Sequence, residues 1–348
     1  METKNWMLYG AYGKTGRLIL EAALSRGHRP LLAGRDAARL RALGEATGLD
    51  TVHLPLEDAS ALRKALSGIS AVMLAAGPYQ LTGPAMRAAC LDAGCSYLDV
   101  NGELDDFTQA LASDAAARAA GIAIIPGAGY GVVIGESLAA QVARRAPGAT
   151  WLRLSMDTKT DGHSRGATLS IANAMSAGGR DMFKGVLRQR PIASPTWLAP
   201  AADGRGMRFA AAPMAELVAV HHSTAIPNIV AGIPMSRTAA AFVRLARPLL
   251  GTFLKRYAAR HSAAPKPATS DAAGAALRSR AWAEAGNAAG TIAAAALETG
   301  EGYQAAAHIA VLAMEQQLEE PRVGALTPVQ AFGAELARLV PGTRIQEL

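Results

Sequence analysis

The sequence predicts an α/β chain, with a doubly wound parallel sheet at the N-terminus and then an α+β region whose sheet is mostly antiparallel. Three observations carry that prediction. Between residue 6 and about residue 126, six short apolar runs alternate with helix-patterned segments. The first run, Trp6-Met7-Leu8, leads straight into the turn Gly10-Ala11-Tyr12-Gly13-Lys14-Thr15-Gly16 and then into a helical pattern. Beyond Pro147-Gly148 the alternation gives way to period-two strands and longer connections.

In the first region the expected strands are Trp6–Tyr9, Pro30–Ala33, Thr51–Leu54, Ala71–Ala76, Tyr97–Val100 and Ile122–Ile125. Helical spacing marks Arg17–Arg26, Ala37–Ala46, Ala59–Leu66, Pro84–Ala93 and Leu104–Ala119. Asp36 and Asp58 stand where helices should begin, Gly27 and Gly94 where they should end. Strands that alternate with helices must run parallel, the Rossmann pattern.

In the second region Thr150–Asp157, Arg208–Ala212, Glu216–His222 and Asn228–Ile233 read as strands, and Arg165–Ser176 as a helix. A basic helical stretch spans Thr238–His261, and Ser262–Ser270 has the composition of an exposed loop. Ala275–Glu284 and Ala288–Leu297 flank Gly286-Asn287 as a hairpin, although their alanines also permit helix. Gly302–Glu319 and Pro328–Leu339 are amphipathic helices. The expected division is 1–130, 131–320 and a C-terminal helical segment, 321–348, that returns to the first domain.

The glycine turn carries the first chemistry. A strand that ends in glycines at a helix N-terminus presents bare N–H groups and the positive end of a dipole to an anion. Gly10, Gly13 and Gly16 form a spacing variant of the dinucleotide fingerprint, and Tyr12, Lys14 and Thr15 lie among them. The motif is weak alone; its place after the first strand strengthens it. About 25 residues beyond Gly10, the second strand ends at Arg35-Asp36. An acid there would accept from the ribose of NAD, whereas a guanidinium would pair with the 2′-phosphate of NADP. Arg35 comes first and Asp36 suits a helix cap, so NADP is favoured over NAD, with Arg39 one turn further on. A solvated surface arginine is the plainer alternative.

The fourth strand leads into Ala76-Gly77-Pro78-Tyr79, expected under the nicotinamide, with Tyr79 either a proton donor or a packing residue. The fifth leads into Asp99, Asn101 and Glu103 on one side, either at the ligand edge or as helix caps.

Composition narrows the setting. The 348 residues are 50% hydrophobic, 18% charged and 5% aromatic, with a net charge of +7. The basic residues are dispersed and stacking aromatics are few, which argues against a nucleic-acid partner and for attraction of anionic small ligands. Cys90 and Cys95 are not spaced as C-x-x-C, so neither a disulfide framework nor a zinc site is expected. No apolar leader follows Met1, and a cytoplasmic location is expected. The least charged stretch, Leu217–Ser236, contains His221, His222, Pro227, Asn228 and Pro234 and is a poor membrane span.

Several segments together resemble one family: Gly10 to Arg17, Ala33-Gly34-Arg35, Gly77-Pro78-Tyr79, Tyr97-Leu98-Asp99-Val100-Asn101-Gly102-Glu103 and Pro126-Gly127-Ala128-Gly129-Tyr130-Gly131. The chain resembles the saccharopine dehydrogenase-like oxidoreductases, in particular the short bacterial branch that includes trans-acting enoyl reductases. Ser164 to Thr168, Ser223 to Ile229 and Leu326 to Gly333 extend the likeness. It departs at Lys14, where a small or aromatic residue is usual, at Tyr130, where phenylalanine is common, and in His261–Ala275, which lacks a Gly-Pro-rich pattern.

The resemblance implies an NADP(H)-dependent oxidoreductase and a sheet that supports a homodimer. The cofactor would lie on Gly10, Tyr12, Gly13, Lys14, Thr15, Gly16, Arg35, Ala76, Gly77, Pro78 and Asn101. Catalysis would draw on Tyr79, Glu103 and Tyr130, with Arg165 and His221 against a small or acyl substrate; no metal is expected, because His221 and His222 are adjacent. Three functions stay open: reduction of a C=C or C=N bond, dehydrogenation of a secondary amine as in saccharopine metabolism, and a non-catalytic NADPH sensor or scaffold.

Overall fold

The structure, a computed structural model, describes residues 5–162, 165–199, 206–246 and 277–348. The chain forms two compact units: one of Met1–Asn101, Asp105–Tyr130 and Tyr303–Phe332, the other of Gly102–Leu104, Gly131–Gly302 and Gly333–Leu348.

The first unit is built on a parallel sheet of seven strands. These are β1 (Trp6–Tyr9), β2 (Leu31–Gly34), β3 (Thr51–His53), β4 (Ala71–Leu74), β5 (Ser96–Asp99), β6 (Ala123–Ile125) and β15 (Gly324–Ala325). Their order is β15-β6-β5-β4-β1-β2-β3. Tyr9 pairs with both Ala33 and Leu74, so the chain departs from β1 in opposite directions at one level, which opens a crevice at the carboxyl ends. Between the strands run α1 (Lys14–Ser25), α2 (Ala37–Thr47), α3 (Ala59–Leu66), α4 (Tyr79–Ala93), α5 (Leu104–Leu111) and α6 (Asp114–Ala120).

Local chemistry sets the helix ends. Asp36 accepts from the amide of Arg39 at 3.0 Å and Asp58 from that of Ala61 at 2.9 Å. The single helix expected over Leu104–Ala119 is two. The second starts afresh at Asp114, whose carboxylate accepts from the amide of Ala325 at 2.9 Å and so ties that helix to the added edge strand.

Both faces of the sheet are covered, as its buried strands require. One face joins Leu8, Ile19, Leu32, Leu40, Met73 and Leu98 to Ala307, Ala310, Val311 and Met314 of the helix Gly302–Glu319. The other gathers Met7, Tyr9, Leu62, Val72, Met86, Cys90, Cys95 and Tyr97. A sequence cut at residue 320 would leave this alanine-rich helix with the second domain, but its small buried face completes the core of the first unit.

The second unit carries a mixed sheet of nine strands. They are β7 (Trp151–Asp157), β8 (Gly179–Phe183), β9 (Val186–Arg190), β10 (Thr196–Ala199), β11 (Met207–Ala211), β12 (Asn228–Pro234), β13 (Ser279–Asn287), β14 (Gly290–Thr299) and β16 (Arg344–Glu347). The main path is β10-β11-β12-β7-β13-β14-β16, with β8 and β9 branching from β12; only β12 and β7 run parallel. The expected hairpin is β13–β14, which turns at Asn287–Gly290 with a bulge at Ala285/Gly286. Phe209 sits at an aromatic centre, with ring centroids 6.3 Å from Trp197 and 5.5 Å from Trp282.

Two further expectations are corrected. Glu216–His222 is not a strand but most of helix α9 (Glu216–Thr224); Leu217-Val218-Ala219-Val220 is buried throughout, and an unbroken apolar run does not distinguish the two forms. Pro328–Leu339 is not one helix: it ends at Phe332, Gly333 turns with φ +82°, and a 3-10 turn follows at Leu336–Leu339. Of the expected helix Thr238–His261, residues 238–246 are helical, in a helix that begins at residue 237, and the remainder lies outside the described residues, as do Ser262–Ser270 and His261–Ala275. Among the described residues no helix is long and apolar enough to cross a membrane, and no cluster of three or more His, Cys, Asp or Glu residues suits a metal ion.

Candidate dinucleotide site

The turn between β1 and α1 is a cradle that requires glycine at positions 10 and 16. At Gly16 a Cβ would lie 2.2 Å from the carbonyl oxygen of Gly10. At Gly10, where φ is +85°, it would lie 2.9 Å from the Cβ of Ala76. At Gly13 it would lie 3.2 Å from the same Gly10 oxygen. The amide of Gly13 donates to Gly10 at 2.9 Å and that of Arg17 to Gly13 at 2.9 Å, which closes the turn. Gly13 caps α1 without a side chain, and no acid stands in the first turn. The dipole end therefore stays positive, as an anion seat requires. Lys14 and Thr15 are the first two helical residues; the Lys14 ammonium lies 4.2 Å from the ring centre of Tyr303.

Tyr12 organises the end of β2. Its ring lies so close to Gly34 that a Cβ there would be 2.6 Å away. Its hydroxyl accepts from the amides of Arg35 at 3.2 Å and Asp36 at 3.1 Å. The Arg39 guanidinium stacks 4.8 Å above the ring, and both Arg39 and Arg17 donate to the Tyr12 carbonyl at 3.3 Å. Arg35 is exposed beside them, and the His53 ring nitrogen holds its carbonyl at 3.1 Å. The structure thus brings the side chains of Arg17 and Arg39 and the main-chain amide of Arg35 onto one tyrosine, while the carboxylate of Asp36 is engaged in capping α2. Arg17 and His53 were absent from the sequence-based candidates; Arg17 has the signal of lying one residue past the last glycine.

The loops after β4, β5 and β6 complete the rim. Ala75 and Ala76 press against Gly10, and the Thr82 hydroxyl donates to the Ala76 carbonyl at 2.6 Å. Tyr79 opens α4, with its ring against Gly77. Asp99 is fully buried; it accepts from the Tyr97 hydroxyl at 2.5 Å and from the amides of Gly127 at 2.7 Å and Asn101 at 2.8 Å. Burial raises its pKa to about 6 against the pull of those donors. The Asn101 side chain donates to Asp106 at 2.7 Å, and Asp106 takes both arms of Arg87 at 2.9 and 2.7 Å. Asn101 is thus bound into the loop's own network. Gly129 lies against Val100, and Tyr130 follows, buried, as the first residue of α7 (Tyr130–Arg144).

Within the second unit, Glu103 accepts from the Ser170 hydroxyl at 2.5 Å on helix α8 (Arg165–Ala177). Arg165 opens that helix; its side chain lies outside the described residues. His221 sits 3.0 Å from the Ile226 carbonyl and so closes its own helix end. Lys159 pairs with Asp157 at 2.8 Å. Glu216, unforeseen as an ionisable site, is buried against Gly131 and Gly135, and burial raises its carboxyl to about 7.

A glycine cradle at the switch point of a doubly wound parallel sheet, with Arg17 and Arg39 donating to the Tyr12 carbonyl beside it, defines a dinucleotide-binding unit. Comparison with known proteins agrees: the NAD(P)H-binding family model matches residues 10–123. The chain is an NAD(P)-binding protein whose relatives include saccharopine dehydrogenase-like oxidoreductases. It is 26% identical over 227 residues to a probable mitochondrial saccharopine dehydrogenase-like oxidoreductase of Arabidopsis thaliana, covering 57% of this chain and 48% of that one. It is 37% identical over 105 residues to a trans-acting enoyl reductase of Mycobacterium tuberculosis, covering 28% of this chain and 25% of that one. The chain therefore spans a quarter to a half of the lengths of these relatives. Apo saccharopine dehydrogenase (L-Glu forming) from Saccharomyces cerevisiae superposes with a TM-score of 0.64 at 12% identity, covering 99% of this chain and 100% of that one, which establishes the shared fold.

Proposed function

We propose that the chain is an NADP(H)-dependent oxidoreductase that reduces a C=C or C=N bond in a small organic or acyl substrate. The observation that carries this is the arginine group at the end of β2: Arg17 and Arg39 converge on Tyr12, Arg35 is exposed beside them, and Asp36 is turned into a cap. That is the charge pattern a 2′-phosphate asks for and a free ribose does not. The glycine cradle fits a pyrophosphate, because its side-chain-free surface leaves main-chain amides within reach.

When bound, the nicotinamide supplies the hydride; the protein must position it and provide a proton. Gly10, Gly13 and Gly16 hold the pyrophosphate, and Ala76, Gly77 and Pro78 lie along the next strand end. Tyr79, Glu103 and Tyr130 are the residues assigned to proton delivery. Asn101 acts by fixing the loop through Asp106. Arg165 and His221 are assigned to the substrate. A secondary-amine dehydrogenase is the less supported reading: it calls for several spare cations, and Lys159 is already paired. We further propose a homodimer formed through the second sheet, in a reducing cytoplasm suited to the free thiols of Cys90 and Cys95.

Calorimetric titration with NADPH and NADH tests the cofactor assignment: tighter uptake of NADPH supports it, and no uptake of either by folded protein refutes it. Single-turnover oxidation of bound NADPH by enoyl and imine substrates then separates the reaction classes, and Tyr79→Phe, Glu103→Gln and Tyr130→Phe identify the donor as the variant that binds NADPH but does not turn over.

A further inference from the structure

The positive charge of this chain is local. Of its 35 Lys and Arg residues, seven fall between residues 217 and 270, where no Asp or Glu occurs; the remaining 28 equal the chain's 28 acidic residues. Within this span lies the helix 237–246 of the second unit. Its start is capped by Ser236, whose hydroxyl accepts from the amide of Ala239 at 3.1 Å. One side is anchored: Ala240 is fully buried, Val243 packs against Ala193 and Ala210, and Arg244 donates to the Ala193 carbonyl at 3.3 Å.

The opposite side is apolar and bare. Phe242 is 65% exposed and Leu245 85%, one helical turn apart. Arg237 is exposed on the same helix, whereas Arg244 is held on the anchored side by the Ala193 carbonyl. Large exposed hydrophobics beside a run of cations with no acid among them suit a surface that is both apolar and anionic. A nucleic acid would not seat a leucine and a phenylalanine that lie in the open.

We propose that this helix is an interfacial element that lays Phe242 and Leu245 into an anionic lipid surface while Arg237 meets the headgroups. The attachment lies in the plane of the surface and does not span it. The proposal is independent of the cofactor assignment.

The test is sedimentation of the full chain with vesicles of phosphatidylcholine alone and of phosphatidylcholine mixed with phosphatidylglycerol. Binding only to the mixed vesicles, weakened by salt, is the expected result. Arg237→Gln should weaken it roughly fivefold, the effect of one cation at such a surface. Phe242→Ser with Leu245→Ser should weaken it by about tenfold or more. An unchanged thermal midpoint shows that the variants fold; Leu245→Gln alone, at the more exposed position, serves if the double variant does not. Failure of the wild-type chain to bind mixed vesicles overturns the proposal, as does equal binding by the folded variants. So does self-association or nucleic-acid binding that these variants abolish in the absence of any vesicle binding.

Discussion

Gly16 accepts no side chain. Its absent Cβ would lie 2.2 Å from a carbonyl oxygen, so Gly16→Ala must push the turn open and displace the first amides of α1. Loss of NADPH uptake in titration, with a lowered thermal midpoint, is the expected outcome. Arg35→Ala makes a narrower prediction. One charge-assisted contact contributes about 1.5–3 kcal/mol, so NADPH affinity should fall roughly tenfold to a hundredfold while NADH affinity scarcely changes. Equal losses for both cofactors would remove Arg35 from the 2′-phosphate. Arg87 is a different kind of residue: buried at 5% exposure, it is the counter-ion of Asp106, which also holds Asn101. Arg87→Met leaves that carboxylate unpaired and should cost about 3–5 kcal/mol in urea unfolding. The glycine turn was readable in sequence because short-range geometry dictates it. The Arg87–Asp106 pair was not, since residues 19 apart meet there only through the fold.

At the scale of elements, caps and alternation did most of the predictive work. Asp36 and Asp58 begin helices as expected, and Asp58→Ala should cost about 1 kcal/mol because the Ala61 amide loses its acceptor. Denaturant unfolding measures that loss. Strands β1 to β6 were legible because each is an apolar run between turn signals. Strands β8 to β10, β15 and β16 were not, being two to five residues long with mixed exposure and hence without a clear period. Glu216–His222 misled for the opposite reason, an apolar run too uniform to show any face. Gly333 broke a helical pattern whose hydrophobic spacing continued past it. The loops after β4, β5 and β6 fall where the alternation of strands and helices puts them, but their mutual hydrogen bonds required the folded chain.

For the whole molecule, stability should depend on pH through Glu216. Burial raises this carboxyl from its ordinary 4.5 to about 7, partly offset by its own backbone N–H. Between those values the folded protein keeps a proton that the unfolded chain has lost. Its contribution is therefore most favourable below about pH 4.5, declines as pH rises towards 7 and then levels off, a span of roughly 3 kcal/mol. Glu216→Gln should flatten that decline and stabilise the second unit at pH 8. Unfolding followed through Trp151, Trp197 and Trp282 reads it, and an unchanged slope would show that Glu216 ionises normally.

The hydroxyl of Tyr12 already occupies the two main-chain amides at the end of β2. A phosphate arriving there finds those two amides taken and must draw instead on guanidinium groups such as that of the exposed Arg35. Discrimination between the two pyridine nucleotides would then be a matter of ionic atmosphere rather than fit. It should shrink steadily as potassium chloride is added, while the pyrophosphate grip, made of rigid peptide dipoles, should fade much less.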